Sequence, residues 1–284
     1  MASFPKSEIK AIGKLLKNSD DGTLKLLEEQ FKKFDIKTLK EINDELPLDD
    51  IESRKKFLCL AHNIKREHLK KDFESWTRNN SNDLEEGVFL VTSFDNPLLN
   101  KSYYTDILNT WKETIKSNIK RIKLKEDPTS LINEINHFLF MEIGFKGNKE
   151  NYYDPENSFL DKVIDRKLGN PILLSMIYLL LTKRLELPFY GVNMPAHFLV
   201  QYADSGEPIY IDPFNQGELI TRSDCQERIK SLKLTWQEDY LSNPSNKQII
   251  ARMIQNLINI YHSEGQFELK EYLETYVNIV KRNM

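Results

Sequence analysis

The stretch Leu168-Gly169-Asn170-Pro171-Ile172, with the apolar run that follows it, constrains this chain more than any other part of the sequence. Asparagine is a preferred helix cap and proline is preferred at the first helical position, so the residues specify a helix start by their own chemistry. The helix they open, Ile172 to Leu185, is apolar on nearly every side. A helix without a polar face has to lie at the centre of its domain. Its most apolar part, Ile172 to Leu181, is far short of the roughly 20 residues that cross a bilayer, so the burial is expected in protein and not in lipid. The chain has the means to cover it: 284 residues, 40% of them hydrophobic and 29% charged, suffice for one large core or two smaller ones. A buried helix also aims the positive end of its dipole and its free N–H groups at whatever precedes it, a place that stabilises a thiolate or an oxyanion.

Before this helix the pattern is helical. Ile9, Ile12, Leu15 and Leu16 recur at helical spacing up to the turn cluster Asn18 to Gly22, and a second helix carries Leu24, Leu27 and Phe31. Further helices are expected over 36–43, over 50–73 around Phe57, Leu60, Ala61 and Ile64, and over 83–93 around Val88 and Val91. Such helix pairs suggest a degenerate repeat, although no residue-for-residue period is present. Asn96-Pro97 interrupts the pattern, and a long helix from about Tyr103 to Leu124 ends before Asp127-Pro128, where a domain boundary is expected. A helix through Leu131, Ile135, Phe138 and Leu139 and a polar loop from Gly144 to Asn157 follow. After the apolar helix the period changes: 189–194, 197–202 and 209–211 read as strands, the last two joined by the turn Asp204-Ser205-Gly206-Glu207. From Lys247 onward the chain is helical again.

Two residues of this strand region can carry chemistry. His197 begins one strand and Asp212 closes the next, before Pro213. With a turn of two or four residues the paired positions sum to 411, which sets Asp212 opposite Leu199 and on the same face as His197. A carboxylate there can orient an imidazole. An odd turn separates them, leaving a partly buried structural histidine and an aspartate that caps a turn.

The order of these elements resembles a known family. Phe145-Lys146-Gly147-Asn148, Tyr152 to Leu160, Gly169-Asn170-Pro171-Ile172, Pro195 to Val200 and Ile211-Asp212-Pro213-Phe214 are similar to the signature run of the SirB-type family, which has a transglutaminase-like core. The resemblance is strong over about 127–219 and loose outside it. It implies an α+β fold: a helical domain at 1–126, a transglutaminase-like core at 127–242 with the buried helix and a small antiparallel sheet, and a tetratricopeptide-like helical segment at 243–284. It also implies that the place of the nucleophilic cysteine is taken by Pro171, which has no nucleophile to offer. Conventional thiol chemistry is then not expected, although proline here is usual in the SirB-type pattern.

No other residue is an obvious replacement. Ser175, one turn after Pro171, is a candidate hydroxyl nucleophile, but a serine inside a helix tends to bond back to the backbone. Cys225 follows Ser223-Asp224 at an apparent helix start, which allows either a lowered thiol pKa or a small packing role. Cys59 reads as core. His62, His68, His137 and His262 form no metal-ligand spacing, and no glycine-rich phosphate loop is present, so no metal or cofactor is expected. Trp76, Trp111 and Trp236 are expected to anchor packing. The net charge of −3 gives no bulk attraction for nucleic acid, and the lysine run 116–125, interleaved with Ile119, Ile122 and Leu124, reads as a solvated helix face. Two cysteines are too few for a disulfide framework, and Met1 to Lys14 is interrupted by charge, so a cytoplasmic location without a membrane anchor is expected.

Besides a regulatory scaffold whose only active surface is its helical repeat, two functions remain open. One is a partner-binding module, without conventional catalysis, that holds a protein or peptide beside His197. The other is a hydrolase or acyl-transfer enzyme in which His197 and Asp212 activate Ser175 or water.

Overall fold

The computed structural model describes residues 5–121, 127–204, 206–282 and 284. Met1 to Phe4, Ile122 and Leu124 of the lysine run, and Ser205 of the expected turn lie outside the described residues. The chain opens with α1 (Lys6–Lys17), α2 (Asp21–Phe31), α3 (Ile36–Glu45) and α4 (Ile51–Ser75), followed by α5 (Leu84–Asp95) and α6 (Lys101–Asn118). The caps are largely acidic. Asp20, Asp35, Asp50 and Asp83 each accept the backbone N–H three residues on, placing negative charge at the positive end of the dipole.

The centre follows. It comprises α7 (Pro128–Asn136), which continues into a π-helical turn at His137–Glu142, then β1 (Lys146–Gly147), α8 (Leu160–Arg166), β2 (Leu168–Gly169) and α9 (Pro171–Arg184). β1 pairs in parallel with β2. An antiparallel meander, β3 (Phe189–Val192), β4 (Leu199–Tyr202), β5 (Ile209–Asp212) and β6 (Glu218–Ile220), comes next, in sequential order. The chain ends in α10 (Arg222–Ser231), α11 (Asn246–Ser263) and α12 (Phe267–Arg282). The molecule is therefore α+β, with a small antiparallel sheet, as its sequence implies.

As its composition demands, α9 is buried on all sides: every residue from Pro171 to Thr182 lies inside. α5 and α6 pack against it from the N-terminal side and β3 and β4 from the other. The main apolar cluster runs from Leu69 of α4 through α5 to α9 and the sheet, and on to Val280 of α12. The core does not divide at Asp127-Pro128. The separation of clusters falls instead within α4, whose first half, from Phe57 to Ile64, supports a small cluster with α1, α2 and α3. Those three helices share α4 as a common support rather than stacking pair upon pair. The C-terminal pair, α11 and α12, packs on α5 and α4 and belongs to the same core. A third, smaller cluster lies beneath the outer face of the sheet and contains Cys225.

Candidate functional site

Two segments of the sheet region converge at the start of α9. The first is Asn193 to Phe198, between β3 and β4. His197 sits in this segment and not on the strand itself; its N–H donates to the Met194 carbonyl at 3.1 Å, and Ala196 takes a left-handed φ of 57°. A non-glycine residue is held in that conformation only where its surroundings over-determine it. Here the surroundings are supplied by Arg252 of α11. Its guanidinium donates to the carbonyls of Met194 and His197, each at 2.8 Å, and to Asn193 Oδ1.

The second segment is the end of β5. The register pairs Val200 with Ile211 and Tyr202 with Ile209, the sum of 411 that belongs to an even turn, so Asp212 and His197 are neighbours. His197 Nε2 and Asp212 Oδ2 are 2.8 Å apart. The histidine is 8% exposed and the aspartate fully buried. Asp212 also caps the turn after it, because Oδ1 accepts the N–H groups of Phe214 and Asn215. Orienting the histidine and capping a turn, which from sequence are competing roles, are both filled by one carboxylate. Asn215 Nδ2 donates to Oδ2 at 2.9 Å, and Arg228 approaches at 3.4 Å. Burial pushes the Asp212 carboxyl up; the bond to His197 and its charge, then Asn215 and Arg228, outweigh this and hold it below the usual carboxylate range.

The start of α9 is tied to the same place. Asn170 Oδ1 accepts the Leu173 N–H and Nδ2 donates to Ser158 Oγ, while Asn157 joins Asn148 and the carbonyl of Asn151 in a buried chain of amides. Pro171 occupies the first helical position. Ser175 is fully buried; its hydroxyl donates to the Pro171 carbonyl at 2.8 Å and lies 3.4 Å from the Phe198 carbonyl. The structure thus brings His197 and Asp212 together with the first turn of α9, but Ser175 bonds to backbone and has no hydrogen bond to the imidazole among the described residues.

A cleft of about 440 Å3 opens beside this constellation, between Tyr152 and Tyr153 on one side and α11 on the other, with Asn170 in its lining. The His197 ring meets Phe214 edge-on at 6.2 Å, and Phe214 meets Tyr152 edge-on at 5.8 Å, so one aromatic ring separates the imidazole from the cleft wall.

The thiols stand apart from the site. Cys225 is buried among Val192, Leu199 and Ile229, and burial pushes its thiol up to about 11, which suits packing and not nucleophilic attack. Cys59 does not belong to the core: it is exposed. The buried face of α4 is set by Phe57, Leu60, Ala61 and Ile64, and a residue two places from Phe57 points to the opposite side of a helix. Among the described residues no group of His, Cys, Asp and Glu is arranged to hold a metal ion, and no helix is long and apolar enough to cross a membrane. Sequence reasoning missed Arg252, because its partners lie more than fifty residues away and an arginine on an amphipathic helix carries no local signal. Asn148 and Asn157 lie within recognisable motifs, but spacing alone assigns them no role.

A central helix whose first turn meets a hydrogen-bonded His–Asp pair at one end of an antiparallel sheet fits the class of α+β proteins built on the transglutaminase plan. This chain belongs to the transglutaminase-like superfamily, whose family model matches residues 104–255, more than half of its length. It is similar to a UPF0162 protein of Xylella fastidiosa, 31% identical over 187 residues, which is 64% of this chain and 66% of the relative. A UPF0162 protein of Vibrio cholerae is 33% identical over 134 residues, 46% of this chain and 49% of its own length. F-box only protein 21 of Mus musculus is 30% identical over 164 residues, 55% of this chain but 25% of its own length. The chain therefore spans about two thirds, one half and one quarter of these relatives. No solved structure gives a significant match.

Proposed function

We propose that this chain is a transglutaminase-like module of the SirB type that holds a protein or peptide partner beside His197 and carries out no acyl transfer through a thioester. The observation that carries the reading is the residue at the start of α9. Pro171 stands at the first helical position, where the family plan puts a thiol, while the histidine and aspartate that would serve that thiol remain hydrogen-bonded to each other. A helix dipole stabilises a thiolate only if a sulfur is present, and an imidazole activates only a nucleophile it reaches. A partner-binding role accords with the similarity to F-box only protein 21, in which the matching region is one part of a much longer chain. The cytoplasm is the compartment this reading assumes.

The second reading is a hydrolase in which His197 activates water. The short bond to Asp212 favours it, since that bond fixes the tautomer and orientation of a general base. Ser175 is the weaker nucleophile for such an enzyme, because its hydroxyl is already committed to the Pro171 carbonyl.

The test is the wild-type protein with thioester and ester substrates and with iodoacetamide. The expected result is no thiol-dependent turnover and no change on Cys225→Ser, with labelling at position 171 only in Pro171→Cys. Turnover that is lost in Cys225→Ser overturns the reading. Turnover that survives Cys225→Ser and is lost in His197→Ala replaces it with the hydrolase, and Ser175→Ala then separates serine from water.

A further inference from the structure

We infer that the cleft along α11 recognises the main chain of an extended peptide through its carboxamides; the inference rests on the partner-binding reading and says which chemistry selects the partner. Among the described residues the cleft is lined by no charged side chain. Strongly basic ligands therefore find no counter-charge in that lining, and the cation next along the same face, Arg252, already spends its donors on the Met194 and His197 carbonyls and on Asn193. Its polar groups are neutral and of both senses. Asn256 has no hydrogen-bond partner for its carboxamide among the described residues, so it offers donors and an acceptor together. Asn259 has its oxygen occupied by Gln255 Nε2 at 3.2 Å and offers its N–H groups. Ser263 donates its proton to the Ile260 carbonyl at 2.7 Å and is left as an acceptor.

These three residues lie three and seven positions apart on one face of α11. The face measures about 10 Å at 1.5 Å per residue, the length of roughly three residues of extended chain. A peptide main chain offers alternating N–H donors and C=O acceptors at that pitch, and Tyr152 and Tyr153 on the facing wall give flat surfaces that accept any side chain. One turn before Asn256, on the same face, stands Arg252, which holds the His197 carbonyl. A main chain lying along this stripe thus runs toward the histidine.

The test is side-chain amide NMR on the full chain, titrated with blocked tetra-alanine and, in parallel, with maltotriose. Tetra-alanine should move the Asn256 and Asn259 amide signals and the His197 ring signals together, with a dissociation constant in the millimolar range. Asn256→Ala combined with Asn259→Ala should weaken binding by about tenfold or more. If the double substitution unfolds the protein, Asn259→Ala alone, at an exposed side chain, carries the test. Movement of the asparagines without His197 keeps the inference and removes the reading that the partner lies beside the histidine. Movement of His197 without the asparagines keeps that reading and overturns the inference, as does a response to maltotriose alone or no response to either probe.

Discussion

Asp212 is the most heavily committed residue of the site. Its two oxygens serve His197, Asn215, two backbone N–H groups and Arg228, all around a carboxylate with no exposure. Removing one partner and removing the hub are therefore unequal. His197→Ala leaves the carboxylate with its other donors and should cost about 1–2 kcal/mol. Asp212→Ala leaves buried donors and the histidine unpaired together and should cost about 3–5 kcal/mol. Urea denaturation of the two variants checks the order, and equal losses would sink the account. That asymmetry could not be read from the motif. A histidine before one strand and an aspartate ending the next are visible in the sequence, and an even turn puts them on one face, but the capping contacts and Arg228 depend on how the chain turns after Pro213.

At the level of elements, β1 earns its place by what it lacks. A Cβ on Gly147 would stand 2.5 Å from the Phe214 carbonyl and against the Phe214 ring, so only glycine lets the turn after Asp212 come this close. Gly147→Ala should destabilise by about 1–3 kcal/mol and shift the His197 ring signals, because the clash is with backbone that anchors Asp212. Gly22→Ala in α2 is the contrast. Its nearest neighbour would be at an ordinary 3.6 Å, and alanine should raise stability by up to about 1 kcal/mol. The contact of α4 with α5 brings a pH dependence. Burial first, then the charge of Arg66, lowers His62 from 6.5 to about 4, against a hydrogen bond to the Phe94 backbone. The unfolded chain therefore takes up this proton first as pH falls, so the stability present above pH 6.5 declines toward pH 4 and then levels off. His62→Gln should flatten the urea midpoint over that window, and an unchanged slope would show that other groups set it.

For the whole molecule, the continuous cluster from Leu69 to Val280 implies that the central part does not stand alone. Residues 127–242 expressed without α5, α6, α11 and α12 expose much of α9 and should lack a cooperative unfolding transition by circular dichroism; a sharp transition would restore a boundary at Asp127-Pro128. The loop from Gly144 to Asn157, tied down by Asn148 and Asn157, should also resist limited proteolysis. What the sequence determined by itself is what local chemistry dictates: the cap and proline that start α9, the apolar composition that buries it, and the period that separates strands from helices; it showed that an even turn would set His197 and Asp212 on one face, and the register of the folded sheet decided that the turn is even. The tertiary structure decided the remainder. It put the break between cores inside α4, committed the Ser175 hydroxyl to backbone, turned Cys59 outward, and brought Arg252 across from α11 to hold the histidine segment. Each of these depends on which surfaces meet over long separations, and no window of sequence contains both partners.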